Sequence, residues 1–200
     1  MSRLGVITGL RAEAACLQRA LRGKRIPCSI RVTGGRTDAA GRATQALLNA
    51  GVTGMLSFGY AGGLDPSLRP GAVLIADAIV LPDGQRLPTD AAWAAGAAEA
   101  AERLGVPVRR GAIVGCGHAV TTVAEKRWLA ERARAQAVDM ESHVMARLAK
   151  PRVPFIAVRV VLDSHDRAVP EAAAGALRPD GRVATAALLA ALLRRPNQIP

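Results

Sequence analysis

Short apolar runs alternate along this chain with alanine-rich stretches of helical length, and this alternation is typical of an α/β fold built in layers. The apolar runs predict strands over residues 4–8, 28–33, 54–58, 73–80, 111–115, 137–139 and 155–162. The other stretches predict helices over residues 12–21, 37–49, 91–104, 124–135, 141–149 and 185–193. We expect a glycine turn over 59–63, a loop over 82–88, and one domain over residues 1–200, because no repeat or long linker divides the chain.

The net charge of +11 raises the question of a nucleic-acid or membrane partner. The arginines and lysines are scattered, however, and no basic block or nucleic-acid-binding motif accompanies them. Aromatic residues make up only 2% of the chain, too few for a base-stacking platform. We therefore expect a solvated basic surface and no nucleic-acid partner, while contact with an anionic membrane surface stays open.

The three cysteines are widely spaced and odd in number, which favours free thiols in a cytoplasmic protein over a disulfide framework. The N-terminus shows no secretory signal, and no apolar run is long enough to predict a membrane span. Neither a dinucleotide fingerprint nor a Walker A sequence occurs, so no cofactor is predicted. No metal site is predicted, because His118, His143 and His165 lack ligand spacing with the cysteines.

Three acidic residues and the glycine-rich segment follow predicted strands. Glu13 comes after the first strand, Glu141 after residues 137–139, and Asp163 directly after the most apolar strand. Because open α/β sheets bind ligands beyond the carboxyl ends of their strands, these residues could share one pocket. Each also has a simpler interpretation: the two glutamates suit the positive end of a helix dipole, and Asp163 could cap a turn.

Four ordered segments resemble the superfamily of nucleoside phosphorylases and methylthioadenosine/adenosylhomocysteine nucleosidases. They are residues 5–9 with Glu13, residues 57–64 continuing to 71, residues 138–142, and residues 158–163. The resemblance covers most of the chain. It implies a nucleoside phosphorylase-like three-layer α/β/α fold with a central mixed, twisted sheet, and an enzyme that cleaves the N-glycosidic bond of a purine nucleoside.

The resemblance also implies a role for each acid. Asp163 matches the acid that protonates or hydrogen-bonds N7 of the purine, and such an acid must hold its proton near neutral pH, which burial favours. Glu141 matches the residue that binds the ribose hydroxyls, where an anion stabilises oxocarbenium character, and Met140 packs against the sugar. Glu13 matches the base that orients or deprotonates the attacking water. The remaining candidates are the sugar- and purine-binding residues Gly59, Tyr60, Ala61, Gly62, His118 and Val120, and Arg11 as a contact for phosphate.

Residues 89–93, 177–182 and 193–196 are similar to stretches of a narrower subgroup, the phosphorylases associated with hopanoid biosynthesis. This likeness implies adenosylhopane, a lipid-linked nucleoside, as the substrate. The wider family resemblance implies a homo-oligomer. A hydrophobic substrate and a basic surface also leave open peripheral contact of a cytoplasmic protein with the inner membrane. Three positions depart from the nucleosidase pattern. Leu162 replaces a serine, Tyr60 replaces a small residue, and His118 stands where an aromatic side chain usually stacks on adenine.

Several alternatives stay open at this point. Either water or phosphate could attack the sugar. The substrate could instead be methylthioadenosine, adenosylhomocysteine or another purine nucleoside. A non-catalytic nucleoside-binding protein, or a basic protein that binds nucleic acid or a membrane, would represent a different class of function.

Overall fold

The computed structural model describes residues 3–169, 178 and 180–182, and within them one sheet is flanked by helices. The strands are β1 (Leu4–Thr8), β2 (Cys28–Val32), β3 (Gly54–Gly63), β4 (Val73–Val80), β5 (Arg86–Pro88), β6 (Val108–Gly115), β7 (Ala137–Asp139) and β8 (Phe155–Asp163). The helices are α1 (Arg11–Leu21), α2 (Thr37–Asn49), α3 (Ala91–Arg103), α4 (Val123–Ala133) and α5 (Ser142–Ala149). None of these helices is long and apolar enough to cross a membrane.

The sheet is mixed and partly closed on itself. Its strands follow the order β2-β1-β3-β7-β6-β4-β5, and β8 pairs with both β3 and β4. The β3–β8 and β6–β7 pairs are parallel, whereas β3–β7 and β4–β8 are antiparallel. Strands β3, β7, β6, β4 and β8 therefore form a ring. In this ring Gly62 lies beside both Val138 and Asp163, and Gly115 lies beside Asp139.

Two aliphatic cores lie on opposite faces of the sheet. On β6, Ile113 belongs to one core, whereas its neighbours Ala112 and Val114 belong to the other, as the alternation of side chains along a strand requires. Helices α2 and α5 contribute Leu47 and Met145 among others to the first core. Helix α4 contributes to the second core. Layers of helices thus cover both faces of the mixed sheet, and the expected fold is confirmed.

Most predicted elements occur within one or two residues of their expected bounds, whereas the glycine turn, the loop and the start of β6 differ by more. The expected glycine turn at 59–63 is wrong, because β3 continues through it and stays paired with β8, with a register shift between Ala61 and Gly62. The expected loop at 82–88 contains β5, which pairs with β4. Strand β6 begins three residues earlier than predicted, at Val108 rather than 111, and Glu141 precedes helix α5 instead of starting it. The helix predicted at 185–193 lies outside the described residues.

A buried ion pair connects strands β3, β7 and β8 with helix α5. Arg159 on β8 is 1% exposed, and its guanidinium binds the equally buried carboxylate of Asp139 on β7, with Nε donating at 2.8 Å. The same guanidinium donates to the hydroxyls of Ser57 on β3 and Ser142 on α5. Because each polar atom of the pair has partners, two charges are accommodated inside the fold.

Removing one partner of this pair tests its contribution to stability. We expect Asp139→Ala to lower the free energy of unfolding by about 3–5 kcal/mol, since Arg159 would keep an uncompensated buried charge. Urea unfolding followed by circular dichroism measures the change.

The matched control is Asp83→Ala, which removes the partner of Arg147 at the surface, where both side chains are more than half exposed. It should cost no more than about 1 kcal/mol. Equal losses in the two variants would contradict the structural role of the buried pair.

Candidate active site

A cavity of about 200 Å³ lies beside the carboxyl ends of β3, β7 and β8 and the segments that follow β1 and β6. Most of the residues predicted from the sequence line it, namely Glu13, Tyr60, Ala61, Gly62, His118, Val120, Met140, Glu141 and Asp163. Gly59 lies directly beneath: a Cβ atom there would be 2.5 Å from a carboxylate oxygen of Glu13. The three acids thus come from separate parts of the chain and meet at one site.

Arg11 is the predicted site residue that the structure does not bring to the cavity. Its side chain is about half exposed, and its Nε donates a hydrogen bond of 2.9 Å to the carbonyl oxygen of Asp180. The Arg11 guanidinium also lies 3.4 Å from the Asp180 carboxylate. Arg11 therefore joins the start of α1 to a later segment of the chain.

The Glu13 carboxylate is held by backbone donors from two elements. One oxygen accepts from the N–H of Leu10 at 2.7 Å, as a residue in the third helical position often does, and the other accepts from the N–H of Tyr60 at 2.8 Å. Burial raises the pKa of Glu13, although these hydrogen bonds and the charge of Arg159 lower it in part. Glu13 is therefore a fixed carboxylate that binds a proton more readily than an exposed glutamate.

The Glu141 carboxylate lies at the junction of β7 and α5, across Gly9 from Glu13. A Cβ atom on Gly9 would be 2.7 Å from an oxygen of Glu141 and 3.6 Å from one of Glu13, so the glycine allows both carboxylates to approach. Burial raises the pKa of Glu141 to about 7, and the nearby charges of Asp139 and Glu13 add to the rise, while Arg159 at 3.7 Å opposes it.

Asp163 ends β8 and contacts a lysine that the sequence did not point to. The side chain of Lys126 on α4 is wholly buried, and its ammonium group contacts the Asp163 carboxylate. The same ammonium donates to the carbonyl oxygens of Ser164 and Arg167, each at 2.7 Å. Lys126 therefore fixes both the carboxylate and the segment that follows it. The sequence had suggested an apolar surrounding for Asp163.

The remaining wall of the cavity is largely apolar and partly open to solvent. Tyr60 and Leu162 line it while remaining 41% and 61% exposed, and Val169 lies nearby. His118 lines another side, where its Nε2 lies 2.7 Å from a carboxylate oxygen of Glu125. A ligand in this cavity would meet carboxylates at its inner end and apolar side chains toward solvent.

The residues that support the acids were absent from the sequence prediction. The sequence did contain an indication that Arg159 is buried and paired, since it is the one charged residue in the middle of a strand that is apolar up to Asp163. For Lys126 no signal existed, because α4 contains several other charged residues and its pattern looks like that of a solvated helix.

Comparison with models of known protein families identifies the family to which this chain belongs. The family model of the phosphorylase superfamily matches residues 21–194, so the chain belongs to the phosphorylase superfamily. The sequence resemblance is thereby confirmed at the level of the superfamily. No match was found among curated proteins.

Solved structures of nucleosidases share this fold over nearly their full length. One is a mutant form of the Helicobacter pylori nucleosidase for 5′-methylthioadenosine and S-adenosylhomocysteine, with 5′-methylthioadenosine in its active site. Its TM-score is 0.79 at 18% identity, with 97% of this chain and 99% of that chain covered. The H. pylori futalosine hydrolase has a TM-score of 0.78 at 19% identity, covering 96% and 97%. The Campylobacter jejuni methylthioadenosine/adenosylhomocysteine nucleosidase has a TM-score of 0.78 at 17% identity, covering both chains fully. At these identities the likeness establishes the fold.

The raised pKa of Glu141 predicts a pH-dependent contribution to stability. The folded state holds the Glu141 proton up to about pH 7, whereas the ordinary value is 4.5, so the resulting stabilisation is complete below 4.5 and is lost as pH rises through 7. Glu141→Gln removes this dependence. We expect the unfolding free energy of the variant, relative to the parent, to rise by about 2 kcal/mol between pH 5 and pH 8.

Urea unfolding of both proteins at the two pH values measures this change. Glu99→Gln is the control, because that glutamate is exposed on α3 and its substitution should change the stability equally at both pH values. A Glu141→Gln variant whose stability parallels that of the parent from pH 5 to pH 8 would show that the carboxyl titrates at its ordinary value.

Proposed function

We propose that this chain hydrolyses the N-glycosidic bond of an adenine nucleoside. The observation that carries the proposal is the meeting of Glu13, Glu141 and Asp163 in one cavity, each at the end of a different strand or the start of the following helix. Membership of the phosphorylase superfamily supports it. So does the fold shared with the nucleosidases described above, one of which holds 5′-methylthioadenosine.

Asp163 acts at the leaving purine in this mechanism. As the glycosidic bond breaks, the departing base gains negative charge, and a proton supplied to N7 makes it a neutral leaving group. The contact with Lys126 immobilises the carboxyl group, so that it does not have to be ordered during the reaction. The hydroxyl that a serine would place at position 162 is replaced by an apolar side chain.

Glu141 and Glu13 act at the sugar. Glu141 accepts hydrogen bonds from the ribose hydroxyls, and in its ionised form, which predominates above its pKa of about 7, its negative charge stabilises the oxocarbenium character of the breaking bond. Glu13 orients a water molecule and takes its proton, a role that suits a carboxylate whose pKa is raised by burial. Water adds at the anomeric carbon, adenine leaves with the proton from Asp163, and the free sugar is released.

The charge of the cavity favours water over phosphate as the nucleophile. Among the described residues no lysine or arginine lines the cavity, whereas four acids do, including Asp139. The one arginine predicted to bind phosphate, Arg11, pairs with Asp180 instead. A phosphate dianion would therefore be placed among carboxylates without a cation to neutralise it, which costs far more than binding a neutral water molecule.

The apolar rim supports a nucleoside with an apolar 5′ substituent. Leu10, Tyr60, Leu162 and Val169 give the cavity a hydrophobic side, and Tyr60 and Leu162 are exposed enough to contact a bulky group. We propose adenosylhopane as the substrate, following the sequence resemblance, with methylthioadenosine as the second candidate. Peripheral contact with the inner membrane and assembly into a homo-oligomer remain predictions that accompany this substrate.

Release of adenine tests the proposal directly. The purified chain is incubated with adenosylhopane and, separately, with methylthioadenosine, each with and without phosphate, and adenine is measured by chromatography. We expect release without phosphate and faster turnover of adenosylhopane. Strict dependence on phosphate would exclude hydrolysis. Thermal stabilisation by nucleosides without any release would indicate a non-catalytic binding protein.

The role of Asp163 predicts a specific loss of turnover. Asp163→Asn keeps the shape of the side chain but cannot donate the proton, so kcat should fall by about 10²- to 10⁴-fold. Asp166→Asn is the matched control, since that carboxylate lies in the same segment but is exposed. Circular dichroism checks that both variants fold. Unchanged turnover in a folded Asp163→Asn variant would refute the assigned role.

A further inference from the structure

Three side chains with metal-binding atoms meet beside the cavity, although they are not spaced like a known metal motif. Cys116 and His118 lie in the segment after β6, and Glu125 lies in the first turn of α4. One donor atom from each residue lies within 4.8 Å of the other two. The His118 Nε2 atom is central, at 2.7 Å from a Glu125 carboxylate oxygen and 3.8 Å from the Cys116 Sγ atom.

The three donor atoms lie close enough for one ion to reach them all. With Zn–S bonds of about 2.3 Å and Zn–N or Zn–O bonds of about 2.0–2.1 Å, neighbouring donor atoms in a tetrahedron are about 3.4–3.6 Å apart. The separation of 3.8 Å between His118 and Cys116 is near this range, whereas the 2.7 Å between His118 and Glu125 is the length of a hydrogen bond. Binding an ion would therefore require side-chain rotations that replace the hydrogen bond between His118 and Glu125 with two bonds to the metal.

Hydrogen bonds hold the backbone of two of the three residues, Cys116 and Glu125. The N–H of Cys116 donates to the carbonyl oxygen of Asp139 at 2.8 Å, which holds the segment against β7. The N–H of Glu125 donates to the hydroxyl of Thr122 at 3.2 Å, which caps α4. Because both chain segments are anchored independently of any ion, binding would not require the loop to fold.

The chemistry of the three donors selects the kind of ion. A thiolate, an imidazole and a carboxylate suit zinc, whereas Mg²⁺ and Ca²⁺ prefer oxygen donors alone. A thiolate and a carboxylate also carry two negative charges, which balance a divalent ion. Within the described residues no lysine or arginine pairs with Glu125, so no fixed cation competes for its carboxylate. The Cys116 thiol is free, and His118 is exposed.

We propose that Cys116, His118 and Glu125 form a binding site for Zn²⁺. Three protein ligands leave one position of the tetrahedron for water or another small ligand. Because His118 also lines the candidate active site, a bound ion would fix one wall of that cavity. The inference rests on the cluster alone and holds whether or not the cavity cleaves a nucleoside.

Competition between the full-length chain and a chromophoric chelator for Zn²⁺ tests the site. We expect one zinc ion per chain. Loss of a ligand should weaken binding at least about 100-fold in both Cys116→Ser and Glu125→Gln, since changes in the outer shell of a zinc site alone cost 10- to 100-fold. With Co²⁺ as a probe, the parent should show a thiolate-to-metal absorption band that Cys116→Ser lacks.

Two matched variants separate this site from adventitious binding. Cys28→Ser removes a thiol on β2, and Glu131→Gln removes an exposed carboxylate elsewhere on α4. Both should bind zinc like the parent and keep the Co²⁺ band. The proposal is overturned if the parent binds no zinc in competition with the chelator, or if either Cys116→Ser or Glu125→Gln retains the affinity of the parent.

Discussion

The ion pair between Arg159 and Asp139 is the interaction on which the rest of the structure depends. It lies beneath a cavity that collects four carboxylates, and like charges at such distances repel strongly in a buried environment. The guanidinium compensates Asp139 directly and also lowers the pKa of Glu141 and of Glu13. Lys126 contacts the carboxyl group of Asp163 directly. Two buried cations thus allow an acidic site to exist inside a folded chain.

The positions of the acids and of the buried cations also determine which charge a ligand meets in the cavity. Glu13, Glu141 and Asp163 line the cavity, where a ligand can reach them, whereas Asp139 is engaged by Arg159. The cations lie behind them and are saturated by hydrogen bonds: Lys126 by two carbonyl oxygens and Arg159 by two hydroxyls. A ligand therefore meets negative charge at the inner end of the cavity. Negative charge in this position would stabilise positive charge that develops on a sugar, as the proposed reaction requires.

The layered fold could be predicted from the sequence because local patterns of apolar and alanine-rich residues determine where its strands and helices lie. Strands β1, β4 and β7 and helix α2 occur at their predicted bounds, since apolar runs and alanine-rich stretches reflect burial on a sheet. Strand β5 could not be predicted, because its arginine and proline are poor strand formers and it exists only by pairing with the edge of β4. The extension of β3 through its glycines likewise depends on the neighbouring β8. The candidate site was predictable where the residues are acidic, because Glu13, Glu141 and Asp163 each follow a predicted strand, which is where α/β sheets bind ligands. That Glu141 meets the other two depends on the closed sheet, since β7 runs antiparallel to β3. Lys126 reaches Asp163 from 37 positions away in the chain, and such a contact depends on how α4 packs against the sheet, which no local pattern of a single sequence contains.

Closure of the sheet through β8 limits how the cavity can change shape. In a ring of paired strands, two neighbours cannot separate without breaking ladder hydrogen bonds, and the ring has no free strand that could peel away. The strand ends that carry Gly62, Asp139 and Asp163 are therefore a rigid frame. Among the described residues that line the cavity, any widening that admits a large molecule has to come from the segments outside this frame: the start of α1, residues 116–122 and residues 164–169.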